Sequence, residues 1–257
     1  METPQWFESW FDSPLYDQLY ANRDEREAAR LVSWIHSRFP SEKYPQVLDM
    51  GCGRGRHALF LAEKGYHVTG VDLSPLAISR AMEKAKNGTS HQQKKPGSVT
   101  FEIGDMRTWS DGPFDLVCNL FTSFGYFGDD SDNLSVLRNM VKNLSKGGYL
   151  IMDYMNPEFI KKHLVPREHL VFGEMKCEIT RAIEDDVVIK TILFRHGSGE
   201  QNQRYQERVK LYGRQWFCNA FRELGLDDPV FAGDYDGSDY DPGTSSRLIS
   251  AVKNQAG

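Results

Sequence analysis

The sequence predicts an α/β fold in which a parallel β-sheet carries helices on both faces. Two observations lead to this prediction. Between residues 45 and 156, short apolar segments typical of buried strands alternate with longer segments whose apolar residues recur at helical spacing. Glycines and acids stand where the strands end, as at Gly51 and Asp72. Because parallel neighbours need long crossover connections, this alternation favours parallel strands joined by helices.

The first 40 residues show helical spacing of apolar side chains, including Trp6, Trp10, Leu31 and Ile35. We therefore expect residues 1–40 to form a helical cap on the core. In the core, residues 45–156, we expect strands at 47–50, 67–73, 99–105, 114–121 and 149–155, and helices at 57–65, 75–86 and 133–144.

Residues 167–212 break the alternation. The segment KCEITRAIEDDVVIKTILFRH places an acidic turn between two strand-like segments, which predicts an antiparallel hairpin or small sheet inserted after the core. Residues 213–257 predict a helix that ends near Gly225 and two final strands. Since no repeat or linker is visible, we expect residues 1–257 to form a single domain.

Composition excludes several classes of protein. With 257 residues, of which 40% are hydrophobic and 26% charged, the chain is unlike disordered, collagen-like or disulfide-stapled proteins. The formal net charge of -5 provides no positive field for phosphate backbones, so we expect no nucleic acid partner. No apolar stretch approaches the roughly 18 residues of a membrane span, so we expect no membrane partner.

The cysteines predict neither a zinc site nor a disulfide framework, because they are widely spaced and form no CxxC pair. A reducing compartment suits them best, and we expect a cytoplasmic location. The four positions are Cys52, Cys118, Cys177 and Cys218.

The segment VLDMGCGRGRHALFLAEKG carries the strongest functional signal. Asp49 ends a buried strand, Gly51, Gly53 and Gly55 follow, and a helix begins near Arg56. Glycines permit a tight turn and let a ligand touch the backbone amides at the start of a helix. Asp72, 23 residues after Asp49, ends the next strand, where a carboxylate can accept hydrogen bonds from both hydroxyls of a ribose.

Two interpretations of the glycine segment compete. One is the dinucleotide pattern G-x-G-x-x-G, and the other is a nucleoside-sulfonium loop in which an acid precedes the first glycine. Position 56 is arginine, so the dinucleotide pattern holds only if its third glycine is displaced. Further along the chain, Asp105-Met106 ends the third strand and Phe114-Asp115 opens the fourth.

With these four motifs in order, residues 47–156 resemble the class I S-adenosylmethionine-dependent methyltransferases. The resemblance implies a Rossmann-like seven-stranded sheet, mostly parallel with the last strand antiparallel, plus N-terminal helices and the added antiparallel segment. It also implies S-adenosyl-L-methionine as cofactor and S-adenosyl-L-homocysteine as product.

The resemblance further implies roles for individual residues. Asp49, Gly51 and Gly53 match positions that hold the methionine part of the cofactor, and Asp72 matches the ribose-binding acid. Asp105 matches the acid beside the adenine amine, and Met106 matches the residue that gives the base a backbone amide and an apolar wall. The remaining residues of the expected cofactor site in the core are Cys52, Leu73, Asn119 and Phe121.

A looser resemblance points to small-molecule methyltransferases that include amino-sugar N-methyltransferases. It rests on GDMR, FTSFGYF, the early YDQLY at 16–20 and the late SRLISAV. In such enzymes an N-terminal tyrosine segment closes over the cofactor, which nominates Tyr16, Tyr20 and Arg23. The alternative is that these residues only make surface contacts of a capping helix.

The segment after the fourth strand, residues 119–127, should lie at the carboxyl edge of the sheet, where ligands bind in open α/β folds. Tyr126 is the candidate catalytic residue, because its hydroxyl could orient an acceptor or take its proton through water. Phe124 and Phe127 suit core packing at least as well as a ligand site. Nearby acids suit helix capping better than magnesium binding, so no metal is expected.

The sequence thus predicts a methyltransferase that acts by in-line displacement on an amine or hydroxyl of a small molecule. The alternatives are a non-catalytic protein that binds S-adenosylmethionine or S-adenosylhomocysteine and, with less support, a nicotinamide-dependent oxidoreductase. Residues 167–212 either form a wall of the acceptor pocket or the contact of a homodimer, and the sequence does not decide between them.

Overall fold

The computed structural model describes residues 5–21, 25–88, 97–195 and 201–255. Its N-terminal part is helical, as predicted. The three helices there are α1 (Trp6–Phe11), α2 (Pro14–Leu19) and α3 (Glu25–Arg38).

The core alternates strands and helices in the predicted order. Its elements are β1 (Gln46–Met50), α4 (Arg56–Glu63), β2 (His67–Asp72), α5 (Pro75–Gly88), β3 (Ser98–Ile103), β4 (Phe114–Asn119), α6 (Asp130–Lys142) and β5 (Leu144–Met155).

Two elements begin three or more residues earlier than the sequence predicts. Helix α6 starts at Asp130, because the Asp129 side chain accepts a hydrogen bond from the Ser131 amide and caps the helix. Strand β5 starts at Leu144 rather than at residue 149. Gly147 and Gly148 lie inside β5, and Gly147 takes a φ of +77° there, beside an irregularity in the pairing with β4.

The rest of the chain contains the inserted strands and the final elements. A short helix that the sequence pattern did not predict, α7 (Pro157–His163), precedes them. The others are β6 (Arg167–Phe172), β7 (Met175–Glu184), β8 (Val187–Arg195), β9 (Gln203–Lys210), α8 (Arg214–Glu223), β10 (Val230–Ala232) and β11 (Arg247–Lys253).

Seven strands form the main sheet in the order β10-β11-β5-β4-β1-β2-β3. Only β11 runs against its neighbours, β5 and β10, so the predicted mostly parallel seven-stranded sheet is confirmed. Strands β6 to β9 form a separate antiparallel sheet in sequence order, which confirms the predicted antiparallel segment. The strand order reverses between β1 and β4, and such a switch point opens a crevice at the carboxyl ends of the strands.

Apolar side chains bury both faces of the main sheet. Leu48 and Met50 belong to the cluster that includes side chains of α6 and α8, and Val47 belongs to the cluster with α3 and α4. A third cluster joins Trp10 and Tyr16 to the second sheet. This packing fixes α1 and α2 against the second sheet. Among the described residues, no helix combines the length and apolarity needed to cross a membrane.

Candidate functional site

The turn between β1 and α4 exposes its backbone. Gly51, Gly53 and Gly55 all take left-handed φ values, of +79°, +53° and +74°. The Gly51 and Cys52 amides donate to the Val71 carbonyl over 2.7 and 3.0 Å, which fixes the turn beside β2. A Cβ added at Gly53 would meet no atom within 4 Å. A ligand can therefore approach the backbone at Gly53 closely.

Asp72 ends β2 and binds the same turn. Its Oδ2 accepts a hydrogen bond from the Gly53 amide over 2.8 Å, and its Oδ1 accepts one from the Ser74 amide over 3.0 Å. Burial raises the pKa of Asp72 above its ordinary value, although these hydrogen bonds and the Arg54 charge act in the opposite direction. Each carboxylate oxygen retains a lone pair for a ligand hydroxyl.

Two buried oxygens near the glycine turn have no hydrogen-bond partner among the described residues. They are Asp49 Oδ2 and Asn119 Oδ1, and their residues are 1% and 0% exposed. Burial first, and the charge of Asp72 second, raise the pKa of Asp49 to about 7. The Asn119 amide nitrogen donates to the Met50 and Ser123 carbonyls over 2.8 and 3.0 Å, which orients its oxygen. Unpartnered buried polar groups are costly, and this pair would suit a donor such as an ammonium.

A cavity of about 760 Å³ opens at the carboxyl edge of the main sheet. Of the residues nominated from the sequence, Asp49 and Asn119 do not line it, and Arg23 lies outside the described residues. The nominated residues that do line it are Tyr16, Tyr20, Gly51, Cys52, Gly53, Asp72, Leu73, Asp105, Met106, Phe121 and Tyr126.

Asp105 faces the cavity but is paired with Arg107. The Arg107 Nη2 lies 2.6 Å from Asp105 Oδ2, and the Arg107 Nε donates to both carboxylate oxygens over 3.1 Å. Burial raises the pKa of Asp105, but the hydrogen bonds and charge of Arg107 outweigh it and leave the pKa below its ordinary value. A ligand amine would share this carboxylate with Arg107.

Tyr126 lies under the aromatic face of α1. Its hydroxyl donates to the Thr122 carbonyl over 2.9 Å. Its ring centroid is 5.3 Å from that of Trp6, 6.2 Å from Phe7 and 5.5 Å from Phe11, all three of which line the cavity. The sequence pattern did not mark these three residues as part of a site, although the segment WFESWF is rich in aromatic side chains.

The two phenylalanines assigned to core packing are both buried. Phe124 is 1% exposed and packs against the rings of Tyr154 and Phe217. Phe127 is 5% exposed, but it also lines the cavity, and the Arg107 guanidinium lies 4.6 Å from its ring centroid. Phe127 therefore contributes to both the core and the cavity wall.

Arg54 connects the glycine turn to the N-terminal helices. It forms an ion pair with Asp17, donates to the Phe11 carbonyl over 3.3 Å and lies 4.4 Å from the ring centroid of Tyr16. These contacts hold α1 and α2 next to the turn. The sequence pattern nominated Tyr16 but not Arg54, since nothing local in the sequence pairs residues 17 and 54.

The second sheet also contributes to the cavity wall, through Glu207 and Val209 of β9. Glu207 Oε1 accepts hydrogen bonds from the Trp10 indole and from the Tyr20 hydroxyl, both over 2.7 Å. The Lys190 ammonium contacts the Tyr20 hydroxyl and lies 3.6 Å from Glu207 Oε2. The inserted strands thus touch both the N-terminal helices and the cavity.

Comparisons with known proteins agree with this architecture. Residues 47–148 match a family model described as a methyltransferase domain. Glycine N-methyltransferase of Homo sapiens is 28% identical over 184 residues, covering 67% of this chain and 61% of that protein. The dTDP-3-amino-3,4,6-trideoxy-alpha-D-glucopyranose N,N-dimethyltransferase of Streptomyces venezuelae is 25% identical over 143 residues, covering 54% and 55%. The chain thus spans about half to three fifths of the length of these relatives.

Among solved structures, the CcbJ methyltransferase from Streptomyces caelestis shares the fold. It has a TM-score of 0.77 and 16% sequence identity, with 97% of this chain and 99% of that chain covered. The family match and the shared fold confirm the resemblance to class I methyltransferases and disfavour the nicotinamide-dependent oxidoreductase.

Proposed function

We propose that this chain, whose residues 47–148 form a methyltransferase domain, transfers a methyl group from S-adenosylmethionine to a small molecule. One observation carries the proposal. The exposed turn at Gly51 and Gly53 lies beside a ribose-type acid, Asp72, and beside the unpartnered buried oxygens of Asp49 and Asn119. This set of hydrogen-bond acceptors complements a ligand that has both a ribose diol and an ammonium group.

The cofactor would lie along the cavity in three parts. Asp72 would accept hydrogen bonds from the ribose hydroxyls. The methionine part would lie against the turn at Gly51 and Gly53, where the charge of the buried Asp49 would attract its ammonium. Asp105 and Met106, which follow β3, would face the adenine. When bound, S-adenosylmethionine supplies a methyl group on a positively charged sulfur, which makes that methyl group a good electrophile.

The protein has two tasks in such an in-line displacement, which are to align the two reactants and to exclude water. The aromatic side chains of Trp6, Phe7 and Phe11 cover the cavity from the N-terminal side. Fixed by Arg54 and Glu207, they would keep water away from the reacting atoms.

Tyr126 would orient the acceptor. Because its hydroxyl donates a hydrogen bond to the Thr122 carbonyl, the tyrosine oxygen can act toward the cavity as a hydrogen-bond acceptor. It would thereby bind an N–H or O–H of the acceptor and direct the lone pair of that atom toward the methyl group. This role needs no ionised tyrosine.

We infer that the acceptor is an amine rather than a hydroxyl. The two relatives described above are named as N-methyltransferases, of glycine and of a dTDP-linked amino sugar. A neutral amine is also the better nucleophile, so alignment and water exclusion suffice without a strong base. The Glu207 carboxylate in the wall fits an acceptor that carries hydrogen-bond donors.

Calorimetric titration with S-adenosylmethionine, S-adenosylhomocysteine and NADH tests the cofactor assignment. We expect micromolar binding of the two adenosyl ligands and none of NADH, and binding of NADH alone would refute the proposal. Methyl transfer is then measured from methyl-labelled S-adenosylmethionine to glycine and to dTDP-linked amino sugars. Adenosyl binding without transfer to any amine or hydroxyl in a broad panel would favour the non-catalytic binding protein.

A further inference from the structure

Phe121 and Thr122 have φ values of +58° and +62°. These left-handed values are unfavourable for residues other than glycine, and most unusual for a β-branched residue such as threonine. The other such pair in the described residues, Asp185 and Asp186, forms the two-residue turn between β7 and β8, where this conformation is normal. Phe121 and Thr122 lie instead in the cavity wall, directly after β4.

Asp153 of β5 holds both strained residues. Its carboxylate Oδ2 accepts a hydrogen bond from the Phe121 amide over 2.9 Å. Its backbone carbonyl accepts a hydrogen bond from the Thr122 amide over 2.8 Å. Two consecutive amides are therefore bound by one residue, and this binding compensates for the unfavourable backbone conformation.

Asp153 is itself fixed by a buried ion pair. It is 1% exposed, and its Oδ1 lies 2.8 Å from the Nε and 2.7 Å from the Nη2 of Arg247 on β11. The Tyr235 hydroxyl donates to its Oδ2 over 2.9 Å, and Arg247 also donates to the Thr122 hydroxyl over 3.2 Å. A buried ion pair contributes little net stability, because desolvation offsets its attraction. One place in the cavity wall thus combines an unfavourable backbone conformation, at Phe121 and Thr122, with a desolvated ion pair.

The strained residues connect this ion pair to the cavity. The Thr122 carbonyl accepts a hydrogen bond from the Tyr126 hydroxyl. The Phe121 ring lies 4.6 Å from the guanidinium of Arg56 and 5.5 Å from that of Arg247. A rotation of the backbone at Thr122 would move its carbonyl and release the hydroxyl of Tyr126.

We propose that Asp153 is a positioning residue that holds Phe121 and Thr122 in the left-handed conformation and, through the Thr122 carbonyl, fixes the Tyr126 hydroxyl at the acceptor end of the cavity. This inference rests on the proposed function, because the acceptor end is defined by methyl transfer. The cofactor end has its own supports, since Asn119 and Ser123 connect the segment to the Met50 and Gly51 carbonyls. The effect of Asp153 on the Tyr126 hydroxyl therefore passes through Thr122, which is not one of the residues assigned to the cofactor.

The test uses the full chain labelled with 3-fluorotyrosine and fluorine NMR, which needs no knowledge of the acceptor. The chain has 11 tyrosines, and Tyr126→Phe identifies the resonance of Tyr126. In Asp153→Asn, the amide nitrogen cannot accept a hydrogen bond, so the side chain cannot satisfy Arg247, Tyr235 and the Phe121 amide together. We expect the Tyr126 resonance to shift by more than its linewidth, with less than threefold change in the dissociation constant of S-adenosylhomocysteine.

Two further variants separate positioning from general damage. Asp153→Asn combined with Thr122→Gly should return the resonance toward its wild-type position, because glycine takes a positive φ without cost. Asp115→Asn is the matched control, since Asp115 Oδ2 also accepts a backbone amide, that of Gln46, but away from the cavity. This control should leave the Tyr126 resonance in place. If Asp153→Asn fails to fold, Arg247→Lys should shift the resonance in its place.

An unmoved Tyr126 resonance in Asp153→Asn, or in Arg247→Lys if the first variant does not fold, would overturn the inference. A loss of S-adenosylhomocysteine affinity greater than tenfold in the same variant would also overturn it, because Asp153 would then serve the cofactor end. Failure of the wild-type chain to bind S-adenosylhomocysteine would refute the proposed function instead, and the fluorine spectra would still report whether Asp153 fixes Tyr126.

Discussion

The Gly53 amide donates a hydrogen bond to Asp72 Oδ2 over 2.8 Å and so joins the turn after β1 to the end of β2. The exposed backbone of Gly53 and the carboxylate of Asp72 thereby form one rigid surface on the cavity wall. A ligand that contacts the turn meets the acid at a fixed distance, and this geometry is the basis of the first two predictions.

Asp72→Asn should weaken S-adenosylhomocysteine binding at least about tenfold, or about 1.4 kcal/mol. Both carboxylate oxygens accept backbone amides, and the amide nitrogen of asparagine cannot accept from Gly53 or from Ser74. Calorimetric titration measures the effect, and Asp115→Asn serves as the control with unchanged affinity. Equal affinity in wild type and Asp72→Asn would remove the ribose assignment.

Gly53→Ala should mainly impair ligand binding, whereas Gly55→Ala should mainly lower stability. Both residues have left-handed φ values, so each change costs about 1–2 kcal/mol in backbone strain. A Cβ at Gly55 would also lie 2.6 Å from Phe101 Cζ, so Gly55→Ala should lose more stability in urea denaturation. A Cβ at Gly53 would project into open space, so Gly53→Ala should remain folded but bind S-adenosylhomocysteine poorly. Equal stability losses would contradict this contrast.

The stability of the protein should depend on the ionisation of Asp49. Its pKa is raised from 3.8 to about 7, so the folded state holds the proton more tightly than the unfolded chain. The protonated Asp49 carboxyl makes its full contribution to the free energy of unfolding below about pH 4. This contribution, up to about 4 kcal/mol, is lost as the pH rises toward 7. Asp49→Asn has no such proton to lose. Its free energy of unfolding in urea should therefore fall less over this range than that of the wild type.

The same carboxyl group should make ligand binding pH-dependent. An ammonium group favours ionised Asp49, so the affinity for S-adenosylhomocysteine should rise with pH up to about 7 and then level off. In Asp49→Asn the affinity should be lower and nearly independent of pH in this range. A wild-type affinity that does not vary with pH would show that the charge of Asp49 does not act on the ligand amine.

Tyr126→Phe should reduce methyl transfer at least about tenfold in kcat/KM, because a positioned group that aligns the acceptor is lost. The aromatic ring and its contacts with Trp6, Phe7 and Phe11 remain, so S-adenosylhomocysteine affinity should be unchanged. The measurement compares labelled methyl uptake by the best acceptor of the panel with calorimetric binding. A parallel loss of both activity and binding would point to the cofactor end instead.

Glu207→Ala should lower the free energy of unfolding by about 2 kcal/mol, because it leaves the fully buried indole of Trp10 without its acceptor. Glu207→Gln keeps an acceptor oxygen and should cost less than half as much. Glu178→Ala is the control on β7, since Glu178 forms more exposed ion pairs with Arg167 and Arg195 and should cost less than about 1 kcal/mol. Similar losses in both alanine variants would contradict a specific role for Glu207.

The order of strands and helices from β1 to β5 could be predicted because each signal is local. Apolar runs, glycine turns and capping acids act within a few residues. The starts of α6 and β5 differ from the predicted starts because a helix cap sets the first and an irregular strand pairing accompanies the second. The assignment of Arg23 to the cofactor site stays a prediction, and so does the role of residues 167–212. The single-domain organisation, the cytoplasmic location and the homodimer also stay predictions.

The geometry of the proposed cofactor end could also be predicted from local spacing. Asp49, Gly51 and Gly53 lie within five residues of one another in β1 and the turn after it, and Asp72 ends β2, the strand that pairs with β1. Parallel pairing of β1 with β2 brings their carboxyl ends together, so a sequence separation of 23 residues becomes a direct hydrogen bond. The sequence by itself therefore determined the parallel core and the meeting of the Gly51–Gly53 turn with Asp72 at its carboxyl edge.

Only the tertiary structure decided what closes and supports the other end of the cavity. The hydrogen bond from Trp10 to Glu207 spans 197 positions, and the one from Arg247 to Asp153 spans 94. No periodicity or motif encodes such pairs, because they depend on how α1, β9 and β11 pack after the sheets have formed. The left-handed backbone at Thr122 is likewise imposed from outside, by hydrogen bonds from strands distant in sequence that outweigh the local preference of threonine.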